Sequence, residues 1–337
     1  MSTPIQAQSP GSASTAPEPV VGLGMPVYNG ARFLARTLDS LLAQTFTDFE
    51  LVICDNASTD ETEQICRSYA ARDSRIRYFR NPANIGAHPN YNRSFELARG
   101  RYFKFVPHDD VLAPEYLEAC VIALESNPDA ALCQAQLAFI DAEDNPLGVC
   151  RTDLYGAQAP RPSQRFAASI LTPHNCYDMM GLFRRSIYAR TAGLASFHGS
   201  DRALVAELAL LGPFLHMPRP LLHVRDHDSR YTRSQVDPRA RAAWHDTRLK
   251  GRITFPTWRL YGTFAGFIRR HALPARERLR CWRALAGWWF VNWNAARMAV
   301  DVIAAVLPGV VRSAERFKQG FSPAPGIDQL RKARRDG

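Results

Sequence analysis

The sequence lacks a membrane-length apolar stretch, a CxxC pair and a basic N-terminal leader. The uncharged run at residues 284–296 stops at Arg297, short of the about 20 residues that a membrane-spanning helix needs. The seven cysteines are odd in number and several lie in apolar runs. They predict reduced, mostly buried thiols in a cytoplasmic protein rather than a disulfide framework. Residues 1–19 carry no Lys or Arg, so we expect a disordered leader rather than a signal peptide.

Charge is present but unevenly distributed. The 337 residues have a formal net charge of +10 and a hydrophobic fraction of 46%, which is ordinary for a globular protein. After residue 240, Lys and Arg outnumber Asp and Glu by 19 to 6. This asymmetry indicates either an anionic partner, such as nucleic acid or a membrane surface, or a solvated basic tail.

Short apolar runs alternate with amphipathic segments through the first 140 residues. The runs predict strands at residues 20–25, 50–54, 76–79, 101–106 and 130–140. Pro26 is expected to end the first strand, and Asn29 to cap the first helix. Ser58 and Glu61 match a capping box for the second helix, and a later helix fits residues 201–211. Strands that alternate with helices predict a mostly parallel α/β sheet.

Three polar loops follow predicted parallel strands, at residues 26–29, 55–60 and 107–110. Parallel strands bring their C-terminal ends to one edge of a sheet, where the ligands of open α/β sheets bind. The three loops are therefore expected to meet in one crevice. The last loop contains Asp109 and Asp110, which repel each other unless they share a cation or one is protonated. On local sequence alone, an Asp-rich turn before a helix explains this pair equally well.

The ordered motifs of the first half resemble those of family 2 glycosyltransferases. They are residues 25–30 (MPVYNG), 52–60 (VICDNASTD), 84–86 (NIG), 100–102 (GRY) and 108–114 (HDDVLAP). The resemblance covers about residues 20–140. It implies the GT-A fold, a Rossmann-like, mostly parallel sheet flanked by helices, followed here by a C-terminal helical region. The implied activity is an inverting, hexosyl-type transfer from a nucleotide sugar, typically a UDP-sugar, to a hydroxyl of a glycan or lipid-linked acceptor, in surface polysaccharide or glycolipid biosynthesis.

The resemblance also implies roles by position. The implied donor-binding residues are Pro26, Tyr28 and Asn29 around the nucleotide, Asp55 at the base, Asn92 near the ribose and diphosphate, and Asp109 at the ribose or sugar. Asp110 would bind Mg²⁺ or Mn²⁺, because hard cations prefer oxygen ligands and are often shared with substrate phosphates. Pro107 stands where the fuller family pattern has another acid, so Asp110 carries most of the metal assignment.

Two downstream segments resemble the family's acceptor half. Asp201 matches the position of the general base that takes the proton of the acceptor hydroxyl, although Asp also suits a helix N-cap. In residues 224–229 (VRDHDS), His227 would ligate the metal or touch the diphosphate, and Arg225 would offset phosphate charge. A surface-loop histidine without such a role is equally compatible with the pattern at His227.

The C-terminal region permits two interpretations. Its tryptophans and arginines suit a helix at an anionic membrane surface, involving residues 284–337, or a helical subdomain packed on the sheet. The first interpretation places the protein in the cytoplasm, at the inner face of the cell membrane. The expected organisation is a leader (1–19), a glycosyltransferase domain (20–240) with a donor half (20–140) and an acceptor half (141–240), a helical region (241–320) and a basic tail (321–337).

Other functions explain less of the sequence. A nucleotidyltransferase would share the acids, the metal and the sheet, but residues 22–24 lack the basic residue expected in its Gly-rich loop. A nucleic-acid-binding protein is disfavoured because the arginines are interleaved with tryptophans and no known module is present. A Rossmann dehydrogenase would need a third Gly. A catalytically inactive, sugar-nucleotide-binding homologue remains an alternative.

Overall fold

The structure, a computed structural model, describes residues 18–150, 154–228, 238–252 and 254–306. Most of the expected leader, residues 1–17, lies outside the described residues. The predicted basic tail at residues 321–337 also lies outside them. All seven cysteines lie in the described residues as thiols, and all except the half-buried Cys150 are buried, which confirms the prediction of reduced, mostly buried thiols.

Within the described residues, one mixed sheet of nine strands runs through the protein. The strands are β1 (Val21–Val27), β2 (Phe49–Asp55), β3 (Ile76–Arg80), β4 (Tyr102–Phe105), β5 (Val111–Leu112), β6 (Leu132–Ile140), β7 (Pro146–Cys150), β8 (Leu182–Arg184) and β9 (Phe214–Arg225). Their order is β3-β2-β1-β4-β8-β6-β9-β5, with β7 paired to β6. The first four strands are parallel to one another. β8 is antiparallel to β4 and β6, and β6 is parallel to β9.

The five predicted strands are confirmed, with one change at Pro26. The strand β1 continues through Pro26 to Val27, and Pro26 pairs with Cys54 of β2. On its other side, β1 pairs with β4 only as far as Gly24. The missing N–H of Pro26 therefore leaves no ladder hydrogen bond unmade on that side.

Helices cover both faces of the sheet. They are α1 (Ala31–Leu42), α2 (Thr62–Arg72), α3 (Ala87–Leu97), α4 (Tyr116–Glu125), α5 (Pro162–Leu171), α6 (Arg185–Tyr188), α7 (Ser200–Leu211), α8 (Pro238–His245), α9 (Pro256–Arg270), α10 (Ala275–Gly287) and α11 (Asn294–Val306). Leu34 and Leu38 of α1 belong to the core on one face of the sheet. Leu204 and Leu208 of α7 belong to the core on the other face. The sheet is therefore buried on both sides, as parallel sheets usually are.

Both predicted N-caps are wrong. The residue before α1 is Gly30, and the residue before α2 is Glu61; neither uses its side chain as a cap. The Asn29 side chain instead accepts a hydrogen bond from Thr59 N, and Ser58 Oγ accepts one from Asn29 N. These side chains join two loops to each other rather than satisfying the first turn of a helix.

The C-terminal helices pack on the sheet domain. Phe264 of α9, Cys281 and Leu285 of α10 and the following Trp288 form a third core with residues of α5 and α7. Phe290 and Trp293, in contrast, are 90% and 64% exposed. Within the described residues, none of the helices combines the length and the apolar character that crossing a bilayer demands.

Candidate active site

The first two strand-end loops are bound to each other. Because Val27 of β1 is in register with Asp55 of β2, the two strands end side by side at the same edge of the sheet. Asn29 N donates to Ser58 Oγ over 2.9 Å, and Thr59 N donates to Asn29 Oδ1 over 2.8 Å. Asn29 can make both bonds because it adopts a left-handed backbone conformation with φ of 50°. The two loops therefore form one rigid wall of a crevice.

The third loop packs against the first. A Cβ atom added to Gly30 would lie 2.5 Å from His108 Cδ2, so the His108 ring fits only because residue 30 is glycine. The backbone carbonyl of His108 accepts a hydrogen bond of 2.9 Å from Thr37 Oγ1 of α1. The prediction that the three loops meet at one edge of the sheet is confirmed.

The acidic turn contacts the end of β9. Asp109 Oδ2 lies 2.9 Å from His227 Nε2, and Asp110 Oδ1 accepts a hydrogen bond of 3.0 Å from Arg225 N. The His227 ring also packs on Phe33 of α1, with the ring centroids 4.7 Å apart. The structure therefore brings together the three predicted residues Asp109, Asp110 and His227, and the His227 ring nitrogen lies against Asp109.

Arg225 is fully buried and holds the acidic turn in place. Its Nε donates to Asp109 O over 2.9 Å and its Nη1 to Asp141 O over 3.0 Å, while Nη2 is 2.5 Å from Asp144 Oδ1. The expectation that Arg225 offsets phosphate charge is therefore wrong. Its guanidinium is enclosed by the protein and joins the turn to the loop after β6.

Asp55 lies at the floor of the crevice and is fully buried. Its Oδ2 accepts hydrogen bonds from Tyr78 Oη over 2.7 Å and Arg80 Nη1 over 2.6 Å, and its Oδ1 accepts one from Ser58 N over 2.8 Å. Burial raises the pKa of the Tyr78 hydroxyl and the bond to Asp55 raises it further, so the phenol stays a donor. Sequence analysis missed Tyr78 and Arg80, although both lie on the next parallel strand.

A buried asparagine network supports the same edge. Asn56 Oδ1 accepts from Ile85 N over 3.0 Å and from Asn81 Nδ2 over 2.9 Å. Asn81 Nδ2 also donates to Asn90 Oδ1, which ties the loop after β3 to α3. Gly86 within that loop has φ of 92°, a conformation that favours glycine. Residues 84–86 therefore have a structural role in holding this network.

The predicted nucleotide-binding residues of the first loop differ in their exposure to solvent. Tyr28 is exposed, whereas Pro26 is buried within β1. The Tyr91 ring of α3 packs edge-on against Phe105 of β4, the strand that leads to the acidic turn. Burial raises the pKa of the Tyr91 hydroxyl, and the nearby carboxylates of Asp109 and Asp110 raise it further. Tyr91 was not singled out by the sequence, since an aromatic residue on a helix more often belongs to the core.

Asn92 is a residue of α3, and Asp201 is a residue of α7. The Asn92 side chain brackets Leu194, donating to its carbonyl and accepting from its N–H. Asp201 is in the first turn of α7, where its Oδ1 accepts from Arg202 N over 2.8 Å. The N-cap position belongs to Gly199, so the N-cap interpretation of Asp201 is wrong. Among the described residues, no hydrogen bond or ion pair joins Asp201 to the acidic turn.

The donor atoms at the acidic turn fit a cation that is shared with a substrate. Within the described part of the chain, no cluster of three or more His, Cys, Asp or Glu side chains has the geometry of a metal cage. Asp109, Asp110 and His227 nevertheless supply two carboxylates and an imidazole. Mg²⁺ is usually held by one or two carboxylates together with substrate phosphates, and this arrangement does not require an all-protein cage.

Comparison with protein families and curated proteins gives consistent matches. The family model described as Glycosyl transferase family 2 matches residues 23–190. Chondroitin synthase of Escherichia coli is 28% identical over 208 residues, which are 61% of this chain and 29% of that protein. The uncharacterized glycosyltransferase MJ1057 of Methanocaldococcus jannaschii is 30% identical over 140 residues, 41% of this chain and 48% of that protein. The chain therefore spans less than half the length of either relative.

Solved structures share the fold over most of the chain. Residues 1–349 of S. aureus TarS in complex with UDP superpose with a TM-score of 0.59 at 14% identity, covering 94% of this chain and 92% of that one. The mannosyltransferase PcManGT from Pyrobaculum calidifontis, in complex with GDP-Man and Mn²⁺, gives a TM-score of 0.50 at 19% identity, covering 91% and 80%. At these identities the likeness is one of fold, and it confirms the predicted α/β architecture with a C-terminal helical region.

Proposed function

The chain belongs to glycosyltransferase family 2 and has the GT-A fold, and we propose that it transfers a sugar, with inversion, from a UDP-sugar to a hydroxyl of a glycan or lipid-linked acceptor. The convergence of the three strand-end loops on Asp109 and Asp110 carries this proposal. TarS has been solved with UDP and with UDP-GlcNAc, which supports a UDP-sugar as the first donor to test.

We assign the nucleotide to the crevice that the first two loops line. Tyr28, Asn29 and Pro26 form one side of it, and the exposed Tyr28 ring offers a surface for the base. Asp55 lies beneath the loop of residues 56–60. Its proposed hydrogen bond to the base therefore requires the hydrogen bonds between the two loops to open when the base binds. Asp109 would contact the ribose or sugar, and Asn92, through the Leu194 segment, would border the diphosphate.

Mg²⁺ or Mn²⁺ is the proposed cofactor at Asp110 and His227. When bound, the cation would neutralise charge that develops on the leaving diphosphate. Asp110 would supply a carboxylate oxygen, and Asp109 lies beside it. His227 would supply Nε2 as a further ligand, in the tautomer that carries the proton on Nδ1.

Asp201 is the proposed general base. In this role its carboxylate accepts the proton of the acceptor hydroxyl while that oxygen attacks the anomeric carbon. The bond from the anomeric carbon to the diphosphate oxygen breaks with its electron pair, and UDP leaves. Attack from the face opposite the leaving group inverts the anomeric configuration. Hydrogen bonds between Asn92 and Leu194 hold the segment that leads into the first turn of α7.

Thermal unfolding with nucleotide and metal tests the donor site. UDP with Mn²⁺ is expected to raise the melting temperature of the full chain, because a ligand that binds only the folded state stabilises it. Asp110→Asn should abolish the part of the shift that depends on Mn²⁺. The matched control is Asp129→Asn, which changes an exposed carboxylate in the turn after α4. A metal-dependent shift that survives in Asp110→Asn would reject the metal assignment, and a shift with GDP but not UDP would redirect the donor assignment.

Turnover by Asp201→Asn tests the general base. The variant should keep the UDP- and Mn²⁺-dependent thermal shift while turnover falls by about 10²-fold to 10⁴-fold, the usual contribution of a general base. Full turnover with a UDP-sugar identified by a donor screen would rule out this role for Asp201.

A membrane-bound acceptor would suit the exposed aromatic residues near the C-terminus. Phe290 and Trp293 project from the region whose buried side includes Leu285 and Trp288. We propose that they meet the inner face of the cell membrane, where basic residues nearby attract anionic lipids. Binding to vesicles of phosphatidylglycerol should weaken with salt and fall in the double variant Phe290→Ser, Trp293→Ser. Substitutions are the sharper test, because deleting residues 284–337 would also remove part of the third core. Unchanged vesicle binding by the double variant would contradict the proposal.

A further inference from the structure

A cavity of about 280 Å³ lies between β6 and β9, away from the acidic turn. It occurs where the two strands lose register: Ala135 pairs with Met217 and Gln136 with Pro220, so that Pro218 and Arg219 bulge out of β9. From Gln134 the strand β6 continues to Ile140, next to Arg225 and the acidic turn, over about 20 Å at about 3.3 Å per residue. The cavity is therefore separate from the proposed donor site.

Gln134 supplies the most informative side chain of this cavity. It is 3% exposed, and within the described residues neither its amide nitrogen nor its amide oxygen has a hydrogen-bond partner. Buried side-chain amides are almost always paired, because burying an unpaired donor or acceptor is destabilising. An unpaired amide beside a cavity can be satisfied by a ligand with hydroxyl groups, which donate and accept, once the neighbouring side chains shift to admit it.

Two aromatic side chains, His216 and Tyr155, form another part of the wall. His216 Nε2 donates to the buried Asp178 Oδ1 over 2.6 Å, and Gln158 Nε2 donates to His216 Nδ1 over 3.0 Å. Both ring nitrogens are thereby engaged within the protein, so the ring is fixed in orientation. The Tyr155 ring meets it edge-on, with the centroids 6.1 Å apart, and Tyr155 is 55% exposed.

The lining selects against a phosphate or nucleotide. It consists of Gln134, Ala135, Gln136, Tyr155, His216, Met217 and Pro218, so neither Lys nor Arg lines the cavity. A neutral ligand with an apolar face and polar edges matches this surface better. A sugar ring has C–H faces that pack on aromatic and thioether groups, and hydroxyls that pair with amides.

We propose that this cavity binds one neutral pyranose ring of the acceptor glycan. The inference rests on the proposed function, because it assumes that the acceptor is a glycan. The cavity is near the lower limit of small-molecule sites, about 300 Å³, which suits a single ring. Because its lining residues Gln134 and Gln136 lie about 20 Å and about 13 Å from Ile140 along β6, one acceptor reaches both the cavity and the acidic turn only if it is more than one sugar long. The site would thus favour longer acceptors by holding a remote ring.

Saturation-transfer NMR on the full chain tests the cavity without donor or metal. The probes are methyl β-D-glucopyranoside, methyl β-D-galactopyranoside and methyl N-acetyl-β-D-glucosaminide, each at concentrations up to the millimolar range. At least one is expected to bind. Gln134→Leu, which removes the amide, and Tyr155→Ala, which removes an exposed ring, should each weaken that binding at least tenfold. The matched controls are Gln64→Leu, at an exposed glutamine on α2, and Asp110→Asn in the donor site, which should both bind as the wild type does.

Thermal stability separates a ligand-binding amide from a structural one. If the Gln134 amide is unpaired in the unliganded protein, Gln134→Leu should melt at a higher temperature than the wild type. A lower melting temperature with unchanged glycoside binding would overturn the inference, as would unchanged binding in Tyr155→Ala. Failure of all three glycosides to bind, with the UDP- and Mn²⁺-dependent shift intact, would overturn this inference alone. Glycoside binding without any nucleotide-dependent shift or donor turnover would instead overturn the proposed donor function.

Discussion

Replacing Arg225 with Met should destabilise the protein and loosen the acidic turn. The buried guanidinium donates to the carbonyls of Asp109 and Asp141 and pairs with Asp144. Met retains much of the length and the apolar packing of Arg but has no donor. The substitution therefore removes the brace between the turn and the loop after β6.

The expected loss in the free energy of unfolding is near the low end of the range for a buried ion pair. Removing one partner of such a pair usually costs about 3–5 kcal/mol, mainly because the other charge is left buried. Asp144 is half-exposed and becomes hydrated when Arg225 is lost, which reduces the penalty. The two carbonyl groups that lose a charged donor keep the cost appreciable. We expect the free energy of unfolding to fall by about 3 kcal/mol.

Arg36 provides a matched control within the same loop. Its Nη1 lies 2.9 Å from Asp144 Oδ2 and donates to Ala142 O over 3.0 Å, but its side chain is half-exposed. Arg36→Met should therefore cost about 0–1 kcal/mol. Urea unfolding monitored by circular dichroism, with the m-value held constant, measures both variants. The apparent Kd for UDP with Mn²⁺ should also rise in Arg225→Met. Equal destabilisation by the two variants would refute the reasoning that burial makes Arg225 a brace.

Two further predictions concern the sheet and the first loop. Burial lowers the pKa of Lys104 to about 8, whereas the unfolded value is about 10.4. Between these two pKa values, Lys104 is protonated in the unfolded chain but mostly neutral in the folded protein. The free energy of unfolding therefore rises with pH across that window. Lys104→Met should remove this rise and stabilise the protein by up to about 3 kcal/mol at pH 7, as measured by unfolding at several pH values; an unchanged pH slope would contradict it. Gly30→Ala should lower the free energy of unfolding by about 1–3 kcal/mol, because the new Cβ would press on His108 Cδ2 and Val27 Cγ2. An unchanged melting temperature in thermal unfolding would contradict this prediction.

The parallel half of the sheet could be predicted because its signals are local. Each strand is a short apolar run, and the polar loops follow directly from the strand ends. The caps could not be predicted in the same way. Asn29 and Ser58 have the side chains that helix N-termini prefer, yet both bond to groups in the neighbouring loop. Only the pairing of β1 with β2 brings these groups together, and this pairing is not visible in a local window.

The second half was harder to predict because its elements depend on distant partners. The strand β9 contains Pro218 and Pro220, and prolines usually argue against a strand. The chain accommodates them at the bulge opposite Ala135 and Gln136. The alternation of Gln134 and Gln136 within an apolar run was the available sequence signal for the cavity, since residues two apart in a strand share a face.

The two carboxylates of the acidic pair contact different partners. Asp109 is 2.9 Å from an imidazole nitrogen, and Asp110 accepts a backbone N–H from the residue whose guanidinium braces the turn. Each carboxylate thus has its own partner, which reduces the repulsion that adjacent acids would otherwise suffer. The presence of two neighbouring aspartates is therefore weaker evidence for a metal than it was in the sequence alone. The metal proposal rests instead on the capacity of the same atoms to bind a cation that is shared with a diphosphate. The measurement that tests it is a metal-dependent change in nucleotide binding. The stability of the Asp110→Asn variant without ligand does not test it.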